Sequence, residues 1–237
     1  MIQVAKHCYQ LRGRLVHHYA LFPPSPQDGG IVLIDGGFLS STPHRWLPEF
    51  EKMGFGPEKV EAILVTHGHI DHTLNLAKWK QLTGARIFAP ERDQLHLEGN
   101  FPYRGLPRIC GGLEQAARSL FRYEIPEVDE WINPGDKFPF WGGLEVIGLP
   151  GHTVGHVGLY SESRKLLFAG DLFSSFQKRV KLPPPWFNDD SDRIPDSVAK
   201  AADLDLSGGV LINHGHPGTP ADYRCELEKL AERVTKR

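Results

Sequence analysis

Ten residues, LVTHGHIDHT (Leu64–Thr73), restrict what this chain can fold into more than any other stretch. They set His67, His69, Asp71 and His72 directly after VEAILV (Val60–Val65), an apolar run that reads as a buried strand. Neighbouring imidazoles repel once protonated, and each needs a partner when buried. Crowding them at a strand end therefore has to be offset by something else in the molecule. At this spacing His67 and His69 reach the same side of the loop, whereas Asp71 and His72 turn onto a second set of directions. All four cannot easily serve one tetrahedral ion without the loop folding back on itself. They suit two ions side by side, each completed by ligands from elsewhere, so distant loops must return to this one.

Candidate partners stand later in the chain. Of the twelve histidines, seven fall in three short clusters. The second cluster is LPGHTVGH, with His152 and His156, and the third is INHGHPG, with His214 and His216. Between them the strand-like LLFAGDLF delivers Asp171 after a glycine. His152, Asp171 and His216 are three further groups of the right chemistry. Nitrogen and oxygen donors without thiolate suit Zn²⁺ first, with Mn²⁺ or Fe as alternatives. Cys8, Cys110 and Cys225 lie far apart with no C-x-x-C pair, so neither a thiolate site nor a disulfide framework is signalled.

The remaining pattern is layered. IVLIDGG reads as a buried strand stopping at a glycine pair, Thr42–Met53 as a helix, TLNLAKWKQLTG as a helix ending at Gly84, and ARIFAP as a strand. NFPYRGLPRICGG reads as loop, and LEQAARSLFRYEI as one helix. After Lys137 short strands dominate, followed by helices over roughly 196–203 and 220–234. This is an α/β (or α+β) chain forming a single domain, 1–237, with two sheets and helices outside. A net charge of −2 leaves no electrostatic footprint for nucleic acid. No run of eighteen apolar residues signals a membrane span, and no signal-peptide run opens the chain. A cytoplasmic protein is expected, with a mature secreted chain as the alternative.

THGHIDH, PGHT, AGD and GHPG, in this order and with a strand before most of them, resemble the metallo-β-lactamase superfamily. The resemblance implies a four-layer αββα sandwich of two mixed sheets with helices on the outer faces and a metal site at one edge. Carried over position by position, it implies that His67, His69 and His152 hold the first metal. Asp71, His72 and His216 would hold the second, and Asp171 would bridge the two. This places Gly215-His216 in the family's last motif and leaves His214 as a supporting group, a substrate contact or plain surface. His156 becomes a packing or hydrogen-bonding residue. Asp35 is either a hydrogen-bonded support for the metal loop or the first residue of a turn.

Two zinc ions about 3.5–4 Å apart would share a water, and the resulting metal-bound hydroxide would attack an electrophilic carbonyl. Asp71 would serve as ligand and as the catalytic acceptor of the hydroxide's proton. Aspartate at 171, where true β-lactamases of the superfamily carry Cys or Ser, points towards glyoxalase II-like thioesterases, lactonases and phosphodiesterases. The expected substrate is a small thioester, lactone or β-lactam. The alternative is a mononuclear iron oxidoreductase resembling persulfide dioxygenases, or a phosphodiesterase. Three stretches are candidate pocket walls: FPPSPQDGG (Phe22–Gly30), the Trp186–Phe187 pair in KLPPPWFNDD, and the Tyr103, Cys110 and Phe121 region.

Overall fold

Side-chain alternation along the strands sets the layers. In β4 (Ile31–Ile34), Ile31 and Leu33 join one buried cluster while Val32 and Ile34 join another. That is the period-2 signature of a sheet covered on both faces. β11 (Leu166–Phe168) behaves likewise, with Leu166 and Phe168 turned to the cluster shared with Val32 and Ile34, and Leu167 turned away. The computed structural model describes residues 1–14, 16–101, 103–105, 107–176, 179–215 and 218–235.

The larger sheet runs in chain order: β1 (Ile2–Ala5), β2 (Cys8–Arg12), β3 (His17–Leu21), β4, β5 (Val60–Leu64), β6 (Arg86–Pro90) and β7 (Glu130–Ile132). Pairing is antiparallel as far as β4 and parallel from there to β7. The smaller sheet has the order β14 (Gly209–Leu211), β11, β10 (Val157–Ser161), β9 (Leu144–Gly148) and β8 (Lys137–Phe138). Its only parallel pair among the described residues is β11 with β14. Both sheets are therefore mixed, as expected.

Helices α1 (Pro43–Glu51) and α3 (Leu76–Thr83) cover the outer face of the larger sheet through Trp46, Phe50, Leu76 and Trp79. Helices α6 (Ile194–Ala202) and α7 (Pro220–Val234) cover the smaller sheet through Val198, Ala201, Leu227 and Leu230. The order helix, sheet, sheet, helix is the expected αββα sandwich. No helix among the described residues is long and apolar enough to cross a membrane.

Short pieces depart from the sequence reading. KFPFWGGLEVIG splits into β8 and β9 around a tight turn in which Trp141 adopts φ 51°. The stretch after Asp171 forms a small hairpin, β12 (Ser174–Phe176) with β13 (Arg179–Lys181). Helix α5 (Arg108–Leu120) takes in Cys110-Gly111-Gly112, where the sequence reads as loop. Gly111 is used for close packing, since a Cβ there would meet the Tyr103 ring at 2.8 Å.

Candidate metal centre

Strands β4, β5, β9, β11 and β14 all end at one edge of the sandwich, and the loops after them carry the chemistry. His67, Asp171 and His214 each stand three residues beyond the ends of β5, β11 and β14. His69, Asp71 and His72 follow where the β5 loop turns into the short helix α2 (Ile70–Thr73). His152 comes from the loop after β9.

Three overlapping donor sets arise: His67, His69 and His152; His67, His72 and Asp171; and Asp71, His72 and His214. Within each set the donor atoms lie within 4.8 Å of one another. Asp171 sits between the sets. Its Oδ1 is 3.3 Å from His72 Nε2, and its Oδ2 is 3.5 Å from His152 Nε2 and 3.1 Å from His214 Nε2. Asp71 Oδ2 lies 3.1 Å from the same His214 nitrogen. Six of the seven residues expected at the site thus converge, and the seventh, His216, lies outside the described residues. His214, which sequence register left as a supporting group, a substrate contact or plain surface, is drawn into the centre. The signal that could have found it is the strand offset. Leu64-Val-Thr-His67, Phe168-Ala-Gly-Asp171 and Leu211-Ile-Asn-His214 place a donor at the same distance past the strand.

The surrounding hydrogen bonds aim the donors. Asp35 closes β4 at φ 65°, a left-handed conformation that Asp tolerates better than most residues, and its carboxylate is fully buried. It accepts from Thr66 N (2.7 Å), Thr66 Oγ1 (2.9 Å) and Asn213 Nδ2 (2.8 Å), and pairs with His72 Nδ1 (2.9 Å). Asn188 Oδ1 holds His152 Nδ1 at 3.0 Å, and the Tyr103 hydroxyl holds His69 Nε2 at 2.6 Å. The opposite ring nitrogens are left to face the centre. His156 is fully committed elsewhere: Nδ1 donates to Leu149 O (2.9 Å) and Nε2 accepts from Asp171 N (3.0 Å). Gly170, at φ 55°, permits that approach, because a Cβ there would meet His156 Nε2 at 2.6 Å.

A further ring of buried groups gave no sequence signal. Asp93 accepts from Gly68 N (2.8 Å), Thr153 Oγ1 (2.6 Å) and Gly155 N (2.7 Å), tying the loop after β5 to the loop after β9. Glu114 of α5 accepts from Ile70 N at 3.0 Å and pairs with Arg118 at 3.1 Å. Arg118 in turn caps the carbonyls of His96 (2.6 Å) and Leu97 (3.0 Å).

The electrostatics match a cation-binding purpose. Burial, reinforced by the neighbouring imidazoles, holds His67 and His69 well below the usual histidine range, so both present neutral lone pairs. Burial also opposes charge on His214, yet the Asp171 and Asp71 carboxylates outweigh it and lift this group to about 10. The pair of carboxylates thus calls for positive charge at this spot, from protons or from a metal. Nε2 of His67, His72 and His152 and Oδ1 of Asp171 are buried without a hydrogen-bond partner among the described residues. Such atoms are costly to bury unless something ligates them. The donor set therefore fits divalent metal.

The centre opens into a cavity of about 580 Å³ floored by Asp71, His152, Asp171 and His214. Cys110 and Phe187 line it as expected, whereas Trp186 and Phe121 do not, Phe121 packing edge-on against Phe38 at 5.6 Å. Tyr103 is nearly buried and reaches the site only through His69. The expected flap Phe22–Gly30 is also not a wall. β3 and β4 are antiparallel, so it joins their far ends, away from the Asp35 edge, with Phe22 in the outer core.

The described family of this chain follows from comparison with known proteins. Residues 25–216 match the model of the metallo-beta-lactamase superfamily. "Probable metallo-hydrolase YflN" of Bacillus subtilis (strain 168) is 26% identical, over 98% of this chain and 93% of that protein. "Hydroxyacylglutathione hydrolase" of Methylobacillus flagellatus is 29% identical, over 89% of this chain and 68% of that protein. The fold matches a subclass B3 metallo-beta-lactamase of Bradyrhizobium japonicum with a TM-score of 0.68, at 22% identity and covering 99% of this chain and 90% of that one. The chain belongs to the metallo-beta-lactamase superfamily, as one of its hydrolases.

Proposed function

We propose that the protein is a dinuclear zinc hydrolase that cleaves the activated carbonyl of a thioester or lactone. The observation that carries this reading is the convergence of three donor sets, sharing His67 and His72, on the floor of one cavity. His67, His69 and His152 would hold one ion, and Asp71, His72 and His214 the other, with Asp171 between them. Two sets side by side support two ions over the single iron of a dioxygenase.

Bound divalent zinc supplies a water of lowered pKa as nucleophile and polarises the carbonyl under attack. The chain's own residues do the rest. Asp71 is desolvated, but His72 and His214 hold its carboxyl below the usual range, so it stays ionised and accepts the nucleophile's proton. Asp35, Asn188 and Tyr103 hold His72, His152 and His69 in register, which keeps the donors from rotating when substrate arrives. The acyl–glutathione conjugate in the names of several relatives supports the thioester as substrate. We take residues 1–237 to act as one domain.

The test is a panel on zinc-loaded protein: a thioester, an acyl lactone, a β-lactam and a phosphodiester. Thioester or lactone cleavage should vanish with a chelator and return with zinc. Asp71→Asn should lower kcat about 10²–10⁴-fold with the fold intact by circular dichroism. Full turnover in protein shown to hold no metal would overturn the reading.

A further inference from the structure

We propose that the cavity beside the metal centre binds an unbranched aliphatic acyl chain, so that preferred substrates carry a medium-length or longer alkyl tail on the scissile carbonyl. The inference rests on the hydrolase reading and deepens it. Beyond the donor residues the lining is mostly apolar. Leu113 and Ala117 come from α5, and Phe173, Leu182, Pro184 and Phe187 come from the segment after Asp171. Two charged side chains besides the candidate ligands reach the lining, Glu114 and Lys181. Glu114 is already spent on Ile70 N and Arg118. Lys181 is exposed, at the end of β13. Lys181 and Ser174 are the few polar partners left at that end, so a polar or multiply charged group seated against α5 would lose more water than they replace, which penalises it. A methylene chain loses nothing by the same transfer.

Size and exposure agree. About 580 Å³ lies in the range that accepts a drug-sized ligand, far more than an acetyl group fills. Leu113 is 66% exposed and Phe187 41% exposed, although both line the cavity. Large apolar side chains left open and adjoining a reactive centre are covered when an apolar ligand arrives. Because the same cavity holds Asp71 and Asp171, its occupant has to be continuous with the group being cleaved. The acyl side of a thioester or lactone satisfies both ends: an electrophilic carbonyl at the donors and an alkyl chain against α5 and the Pro183–Phe187 segment.

The test is a chain-length series on zinc-loaded protein, with p-nitrophenyl esters, thioesters and alkyl-substituted lactones from acetyl to dodecanoyl size. The ester, thioester and lactone arms separate the leaving groups. kcat/KM should rise about fourfold per added methylene until the cavity is full. Straight-chain alcohols from butanol to decanol, read by calorimetry, probe the groove without turnover, and their affinity should climb with the same slope. Leu113→Asn and Phe187→Ser sit at solvent-reaching positions and should cut the decanoyl-to-acetyl ratio about tenfold. Ile125→Ser, at an exposed apolar residue outside the cavity, should leave that ratio unchanged. Chain-dependent alcohol binding with no cleavage of any substrate would keep the groove and sink the hydrolase reading. Cleavage and alcohol binding that are both flat with chain length would overturn the acyl groove and leave the hydrolase standing.

Discussion

Asp71 and Asp171 both stand 3.1 Å from His214 Nε2, so removing this imidazole leaves two carboxylates with one fewer cationic neighbour. His214→Ala is expected to retain one metal equivalent per chain after dialysis and to lose at least about a hundredfold in kcat, in keeping with loss of a group acting directly on the site. Metal analysis of His216→Ala alongside it decides between the two registers of the last loop: loss of an ion there instead would hand the ligand role to His216. Asp35 makes a second residue-scale case. Its carboxylate satisfies Thr66, His72 and Asn213 together, so Asp35→Ala strands several buried donors. A loss of about 3 kcal/mol or more is expected in urea unfolding. At this scale the donor types were legible, because imidazoles and carboxylates spaced as in THGHIDH have few other uses. The register of INHGHPG was not. Two histidines flank one glycine there, and residue type alone does not say which of them meets the metal.

Among elements, the loops are locked by residues whose type does not reveal their partner. Asp93 lies in ERDQLHLEG, an ordinary amphipathic stretch, yet its two oxygens take three donors from two different loops. Asp93→Ala should lower stability by about 2–4 kcal/mol and weaken metal affinity about 10- to 100-fold, measured by unfolding and by chelator competition. Helices α1, α3, α6 and α7 were readable from apolar spacing, since one face of each meets a sheet, and α1 and α3 also from Gly54 and Gly84 just past their ends. The start of α5 was not readable, because two consecutive glycines normally break a helix. There Gly111 serves a close approach to Tyr103, which only the packing shows.

For the whole molecule, buried neutral imidazoles make acid the weak side. Burial, assisted by nearby positive groups, lowers His18 and His156 from 6.5 to about 3. In the unfolded chain both would take up protons near their ordinary value. Their contribution is therefore complete above about pH 6.5 and is lost as pH falls towards 3, at about 1.4 kcal/mol per unit for each group. Urea midpoints at pH 7 and 4.5 should differ accordingly, and His18→Gln should flatten part of that slope. The two-sheet arrangement has one more result. Donors from the larger sheet (His67, His69, Asp71, His72) meet donors from the smaller one (His152, Asp171, His214), so a cation held by both acts as a rivet through the sandwich. Only the closed sandwich offers the full donor set, which makes metal concentration a stability variable. At a hundred times its dissociation constant an ion adds about 2.7 kcal/mol. Stripping it should lower Tm by about 5–10 °C in a chain of this size, and the sheets should then part more readily at the edge where substrate enters.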